Sequence, residues 1–188
     1  MQLNKPRSLL QSRKLAVLIV VSALGGIASV LIGYAGSLMG TIPVGSFISG
    51  QLLAGLHVFW PILALVITRT KGAATFVGSV KGLIEMILPN HLGPLVFFIS
   101  FLEGLIVDLA LSPFRKVNPM IIYVVGGLSA ASNILILQTF LLPNLSIIVY
   151  EGMYLAAFLS GAVLGGYLSI KTLDSVNHLL PTIEFNQE

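Results

Sequence analysis

Long apolar runs along this chain are separated by short segments rich in Pro, Gly, Asn or basic residues. An α-helix needs about 20 apolar residues, each rising about 1.5 Å, to cross a bilayer. Six runs approach this length: Leu15–Ser37, Ser46–Thr68, Ala73–Leu88, Gly93–Leu111, Met120–Leu142 and Ile147–Ile170. The pattern therefore predicts an all-α integral membrane protein, a bundle of six transmembrane helices.

Basic residues test this count because Lys and Arg concentrate on the cytoplasmic side of a membrane protein. Nine of the ten precede the first run, lie in every second connection or follow the last run: Lys5, Arg7, Arg13, Lys14, Arg69, Lys71, Arg115, Lys116 and Lys171. The alternation places both termini in the cytoplasm. It predicts a cytoplasmic segment 1–14, one transmembrane domain 15–170 and a cytoplasmic tail 171–188. The first run is too long for a cleaved signal peptide.

Composition excludes most soluble functions, since only 9% of the residues are charged whereas a soluble domain has roughly 25%. We therefore expect a multi-pass protein of the cell membrane in contact with the lipid bilayer. The sequence contains no phosphate-binding loop, no H-E-x-x-H and no G-x-S-x-G. It predicts no enzyme activity, no catalytic residue, no metal site, no cofactor and no nucleic-acid partner.

A stripe of small residues follows one face of the first predicted helix. It consists of Ser22, Gly26, Ser29 and Gly33. Small residues at this spacing let another helix approach closely within a membrane. The stripe predicts a docking surface for a partner subunit, and packing within the chain is an equal alternative.

Ionisable residues inside the predicted spans are the first candidates for function, because they are costly in lipid. Lys81 and Glu85 are four residues apart and can form an ion pair. Glu103 lies near the membrane midplane, whereas Asp108 is nearer the cytoplasm and suits a structural role. His57 lies at mid-membrane and either binds a ligand or donates to a carbonyl.

The last two helices carry further polar and aromatic candidates. Asn133 lies on a small, polar face of the fifth helix, and Glu151, Tyr154 and Phe158 share a face of the sixth. Aromatic rings beside a carboxylate suit a flat, hydrogen-bonding or cationic ligand. Tyr residues at helix ends are also common at membrane interfaces.

The segment from Ala64 to Leu111 resembles the substrate-binding (S) components of energy-coupling-factor (ECF) vitamin transporters, in particular those for thiamine and its hydroxymethylpyrimidine precursor. The basic-Gly-Ala-Ala turn of these proteins corresponds to Lys71–Ala74, the acidic residue near the helix end to Glu85, and the following Gly-Pro to Gly93 and Pro94. Their polar-Gly-Leu segment corresponds to Glu103–Leu105. Two positions differ, because His57 aligns with a pocket Trp and Glu103 replaces an uncharged amide.

This resemblance implies a subunit that captures a vitamin outside the cell and works with a transmembrane coupling subunit and two cytoplasmic ATPases. The candidate substrate-binding residues are Glu85, Glu103, Asn133, Glu151, Tyr154, Phe158, His57 and Trp60. In this hypothesis Glu85 and Glu103 hold an aminopyrimidine edge or a cationic ring. The alternatives are an ATP-independent secondary transporter, in which Glu103 and His57 relay protons, and a membrane scaffold without transport activity.

Overall fold

Each of the six apolar runs is helical in the computed structural model, which describes residues 7–39, 46–90, 92–114 and 118–179. The helices are α1 (Arg7–Met39), α2 (Ser46–Gln51), α3 (Ala54–Thr68), α4 (Ala73–Ile87), α5 (Leu95–Leu111), α6 (Pro119–Phe140), α7 (Ile147–Ser160) and α8 (Leu168–Leu179), with a π-helical segment, Gly161–Tyr167, between α7 and α8. The described residues contain no β-strand. The all-α prediction is therefore confirmed.

Among the described residues, three helical stretches are long and apolar enough to cross a membrane: Gln11–Leu38, Pro119–Phe140 and Ile147–Val176. Helix α3 is apolar but shorter, and α4 and α5 have 15 and 17 residues. The six-span count and the cytoplasmic termini therefore stay predictions. Parts of the basic-residue pattern lie outside the described residues, namely Lys5, Arg115, Lys116 and the end of the tail, 180–188.

The second apolar run is divided into α2 and α3 at Leu52 and Leu53. Ser160 stabilises this break, because its hydroxyl accepts from the Gly55 backbone N–H at 2.9 Å and donates to the Leu52 carbonyl at 2.6 Å. These are backbone groups that the interrupted helix leaves unpaired. Pro61 lies inside α3 and does not end it.

Apolar residues of α3, α5, α6 and α7 form the main core, in which Val58, Ile62, Val107 and Ile134 are fully buried. A smaller cluster joins α1 to α3 and α4. Large apolar side chains are also exposed along the outer faces of the helices. Soluble proteins rarely expose so much contiguous apolar surface, so these faces fit a lipid environment.

Helices α4 and α5 approach each other through glycine. A Cβ atom at Gly78 would collide with the Ser100 carbonyl oxygen, and one at Gly104 would collide with the Ala74 carbonyl oxygen. Both obstacles are backbone atoms, which cannot rotate away. The close approach sets the polar side chains of α4 directly against those of α5.

We expect Gly104→Ala to lower the free energy of unfolding by about 1–3 kcal/mol, the usual cost of overpacking a well-packed interior. The measurement is thermal unfolding of the purified protein in detergent. Gly36→Ala is the matched control, because Gly36 is also inside a helix and nothing lies within 4 Å of a Cβ atom there. Equal stability of the two variants would contradict the backbone contact between α4 and α5.

Candidate functional site

A cavity of about 620 Å³ lies at the end of the bundle where α4 ends and α5 begins. Its volume is within the range of about 300–1,000 Å³ that is typical of small-molecule sites. Most of the wall is apolar, and the polar side chains that line it are Ser29, Tyr34, Ser37, Gln51, His57, Glu85, Asn90, Ser100 and Asn133. The polar residues come from separate helices, so the cavity depends on how the helices pack.

Two residues of the cavity wall, Glu85 and Ser100, are bonded to the buried Lys81. Lys81 Nζ lies 2.8 Å from Glu85 Oε1 and donates to Ser100 Oγ at 2.8 Å. Ser100 Oγ in turn donates to Glu85 Oε2 at 2.9 Å. Both carboxylate oxygens are thus held in place, and the Glu85 side chain is only 1% exposed. The pairing expected from the four-residue spacing is present.

Glu103 lies behind this wall and extends the cluster to α6. Its Oε1 accepts from Asn133 Nδ2 at 2.7 Å, and its Oε2 is 3.7 Å from Lys81 Nζ. The Ser129 hydroxyl donates to the Glu103 backbone carbonyl at 3.0 Å. One lysine therefore lies between two carboxylates, and all three side chains are at most 1% exposed.

With both carboxylates ionised and His57 neutral, the charges of this cluster do not balance. Glu85 and Glu103 share a single ammonium group, and the nearest further titratable group is His57, whose Nδ1 is 3.9 Å from Glu85 Oε1. An uncompensated charge away from water costs several kcal/mol. The cluster is therefore stabilised by one more positive charge, which a proton or a cationic ligand can supply.

The cavity wall also offers a free hydrogen-bond acceptor. Asn133 lines the cavity and is 6% exposed, and its Oδ1 has no hydrogen-bond partner. A buried carbonyl oxygen without a partner costs about 1–3 kcal/mol. A ligand that donates a hydrogen bond at this position would remove that cost.

Asn90 and Tyr34 are among the lining residues that the sequence did not predict. Asn90 Nδ2 donates to the Glu85 carbonyl at 2.6 Å, and Asn90 Oδ1 accepts from the Leu92 N–H at 3.0 Å. The Tyr34 hydroxyl donates to the Pro89 carbonyl at 3.1 Å and so connects α1 to the α4–α5 connection. The Pro-Asn pair at 89–90 is a turn signal that could have identified Asn90.

The structure brings four of the predicted substrate-binding residues together. Glu85, His57 and Asn133 line the cavity. Glu103 is not part of the lining but is bonded to Asn133 directly behind it. These four residues come from α3, α4, α5 and α6, and they form one connected group.

The other four predicted residues lie away from the cavity lining. Glu151 is exposed, and the Tyr154 hydroxyl donates to Gln138 Oε1 at 3.3 Å. The Phe158 ring packs against Gly127, and Trp60 packs beside Gly25 between α1 and α3. These four residues contact α1, α6 or the surroundings instead of the cavity.

The small-residue stripe of α1 is largely occupied within the chain. Ser22 and Ser29 are buried, and the side chain of Ile84 fills the space next to Gly26. Gly33 lines the cavity. A partner helix could reach Gly26 only by displacing Ile84 of α4, so this contact matches the alternative of packing within the chain. Docking to a partner stays a prediction.

Asp108 has the structural role that its position predicts. Its Oδ1 accepts from the Gly72 N–H at 3.2 Å, and its Oδ2 accepts from the Thr75 N–H and hydroxyl, both at 2.6 Å. A carboxylate at this point pairs the free N–H groups at the start of α4.

This helical arrangement around a cavity is the fold of an ECF-transporter S component. A solved structure described as "Crystal structure of an S-component of ECF transporter" superimposes with a TM-score of 0.81 and 20% identity, covering 89% of this chain and 85% of that one. Residues 13–133 match the family model of the permease component of ABC-type cobalt transport systems. The chain belongs to this family of membrane transport proteins. No curated protein sequence matches it.

Proposed function

We propose that the protein is the substrate-binding subunit of an ECF-type importer and that its cavity binds a small organic cation. The fold and the membership in a transport family support a subunit of this kind. The ligand class is inferred from one observation: the Glu85 carboxylate is buried at the cavity wall, within a cluster that lacks one positive charge. A cationic ligand supplies that charge.

Thiamine and hydroxymethylpyrimidine are the best candidates for this ligand. The aminopyrimidine group that they share donates hydrogen bonds from its amine, for which Glu85 and Asn133 Oδ1 are acceptors at the wall. Thiamine adds a permanent positive charge on its second ring. Tyr34 and Phe47 also line the cavity, and aromatic side chains suit flat or cationic rings.

The description of the family names cobalt, which makes a bare metal ion the competing ligand. Divalent cobalt is held by several nitrogen, oxygen or sulfur donors, and the described part of the chain has no group of three His, Cys, Asp or Glu side chains suited to a metal ion. The Lys81 ammonium, 2.8 Å from Glu85 Oε1, would also repel a dication. These features favour the organic cation.

The proposed function also requires that the cavity faces the outside of the cell and that import has an energy source. Six spans with both termini in the cytoplasm would place the cavity on the outer side, opposite the basic connections. The sequence contains no phosphate-binding loop, so the energy for import would come from two ATPases acting through a transmembrane coupling subunit. These would be recovered when the protein is purified by affinity from its native membrane.

The ligand is tested by thermal unfolding of the purified protein with thiamine, hydroxymethylpyrimidine or Co²⁺. A ligand at 100 times its Kd stabilises the folded state by about 2.7 kcal/mol. For a chain of this size that raises the Tm by roughly 5–10 °C. With each ligand added at the concentration that is 100 times the Kd of thiamine, we expect this shift with thiamine, a smaller one with hydroxymethylpyrimidine and none with Co²⁺.

A shift with Co²⁺ alone would overturn the proposed ligand class. The subunit role is tested separately in liposomes. Uptake by the protein without any ATPase would indicate the secondary transporter instead. Absence of both binding and uptake would favour the scaffold.

A further inference from the structure

We propose that a second cavity, of about 570 Å³, binds the headgroup of one anionic phospholipid. It lies at the opposite end of the bundle, where α3 ends and α4 begins. Its lining comes from α3, α5, α6 and α8 and from the connection between α3 and α4, and it includes the charged residues Arg69, Lys71 and Asp108. The site is separate from the ligand cavity, and the proposal does not depend on the transported substrate.

The charges at this cavity favour an anion. Arg69 and Lys71 are exposed at its edge, and no ion pair within the described ranges involves either of them. The Asp108 carboxylate also lines the cavity, but its oxygens already accept from Gly72 and Thr75. The sum of two cations and one carboxylate is a single positive charge, which matches the single negative charge of a phosphodiester headgroup.

The apolar walls favour a lipid over a free phosphate. Leu65, Leu111 and Ile122 line the interior of the cavity. Leu109 and Phe114 also line it and are 63% and 45% exposed, so the cavity continues onto the outer apolar surface. In a membrane, that surface contacts acyl chains. Basic pockets between transmembrane helices are a known type of site for anionic lipid headgroups.

The backbone conformation at Arg69 allows its side chain to be removed by mutation without strain. Arg69 is the only non-glycine residue with a positive φ, 49°, among the described residues, and its N–H caps α3 by donating to the Leu65 carbonyl at 2.8 Å. This left-handed conformation costs a residue with a Cβ atom roughly 1–2 kcal/mol and suits glycine. Arg69→Gly therefore removes the guanidinium group without straining the chain.

The test is native mass spectrometry of the full chain in detergent, with phosphatidylglycerol or zwitterionic phosphatidylcholine added. We expect one phosphatidylglycerol per chain, retained at least fivefold more than phosphatidylcholine. The double variant Arg69→Gly/Lys71→Gln is expected to lose this preference. Its Tm without added lipid would show that it remains folded.

Arg13→Gln/Lys171→Gln is the matched control, because it removes two exposed positive charges that do not line the cavity. It is expected to keep the preference for phosphatidylglycerol. Equal retention of the two lipids by the wild-type chain would overturn the proposal. So would an equal loss in the control variant, or displacement of the lipid by an equal concentration of glycerol phosphate, which would indicate a site for a soluble anion.

Discussion

Lys81→Met is expected to lower the free energy of unfolding by about 3–5 kcal/mol, the usual cost of removing one partner from a buried ion pair. Lys81 is fully buried, and its ammonium is 2.8 Å from Glu85 Oε1 and 3.7 Å from Glu103 Oε2. Methionine keeps the volume of the side chain and removes the charge, so two buried carboxylates lose the cation that they share. Thermal unfolding in detergent measures the effect.

A second variant tests whether charge is the cause. Lys81→Met/Glu103→Gln has the same net charge in the cluster as the wild-type protein, and we expect it to recover at least half of the lost stability. Lys171→Met is the control for the substitution itself, because Lys171 is exposed. A Lys81→Met variant as stable as the wild type would contradict the ion-pair cluster. A double variant no more stable than the single one would contradict the charge argument.

Glu85→Gln is expected to weaken thiamine binding about 100-fold, which corresponds to about 2.7 kcal/mol and is typical of a lost hydrogen bond to a charged group. The fold should survive, because Lys81 still has Glu103 as a counter-charge at 3.7 Å. Hydroxymethylpyrimidine carries no permanent charge, so its affinity should fall less, by about tenfold. Equilibrium binding of radiolabelled ligand to the purified variant measures both effects.

Glu151→Gln is the matched control for this experiment. Glu151 is exposed and does not line the cavity, so this variant should bind thiamine like the wild-type protein. A loss of affinity in Glu151→Gln but not in Glu85→Gln would indicate that the ligand binds at α7. That result would agree with the aromatic and acidic face predicted from the sequence and would show that the cavity is not the binding site.

Part of the site could be predicted from spacing alone. Lys81 and Glu85 pair because residues four apart lie on the same side of a helix, and the structure shows this pair. Glu103 was singled out because carboxylates are costly within a membrane. The contact of Glu103 with Asn133 joins residues on different helices, so no local pattern could predict it.

The positions of the aromatic candidates relative to the cavity could not be predicted from the spacing of residues. Tyr154 and Phe158 share a helix face with Glu151 as expected, but that face contacts α6 or the surroundings. Tyr34 and Phe47 line the cavity instead. They come from the end of α1 and from α2, which reach the cavity only through the packing of the whole bundle.

The break between α2 and α3 also involves a contact between distant parts of the chain. Pro61 is the obvious local signal for a disturbed helix, yet α3 continues through it. The break lies earlier, and Ser160, more than a hundred positions away in the chain, stabilises it by pairing with the backbone of Leu52 and Gly55. This contact joins distant parts of the chain, so no local pattern could predict it.

The sequence by itself determined the helical class, the approximate bounds of the apolar runs and the identity of the costly ionisable residues. These properties depend on composition and on the helical period, which are local. Only the tertiary structure decided which face of each helix meets the cavity, that Ile84 of α4 packs against Gly26 of α1, and that one lysine lies between two carboxylates. Those features depend on contacts between helices, and a helical period does not specify which helix lies opposite a given face.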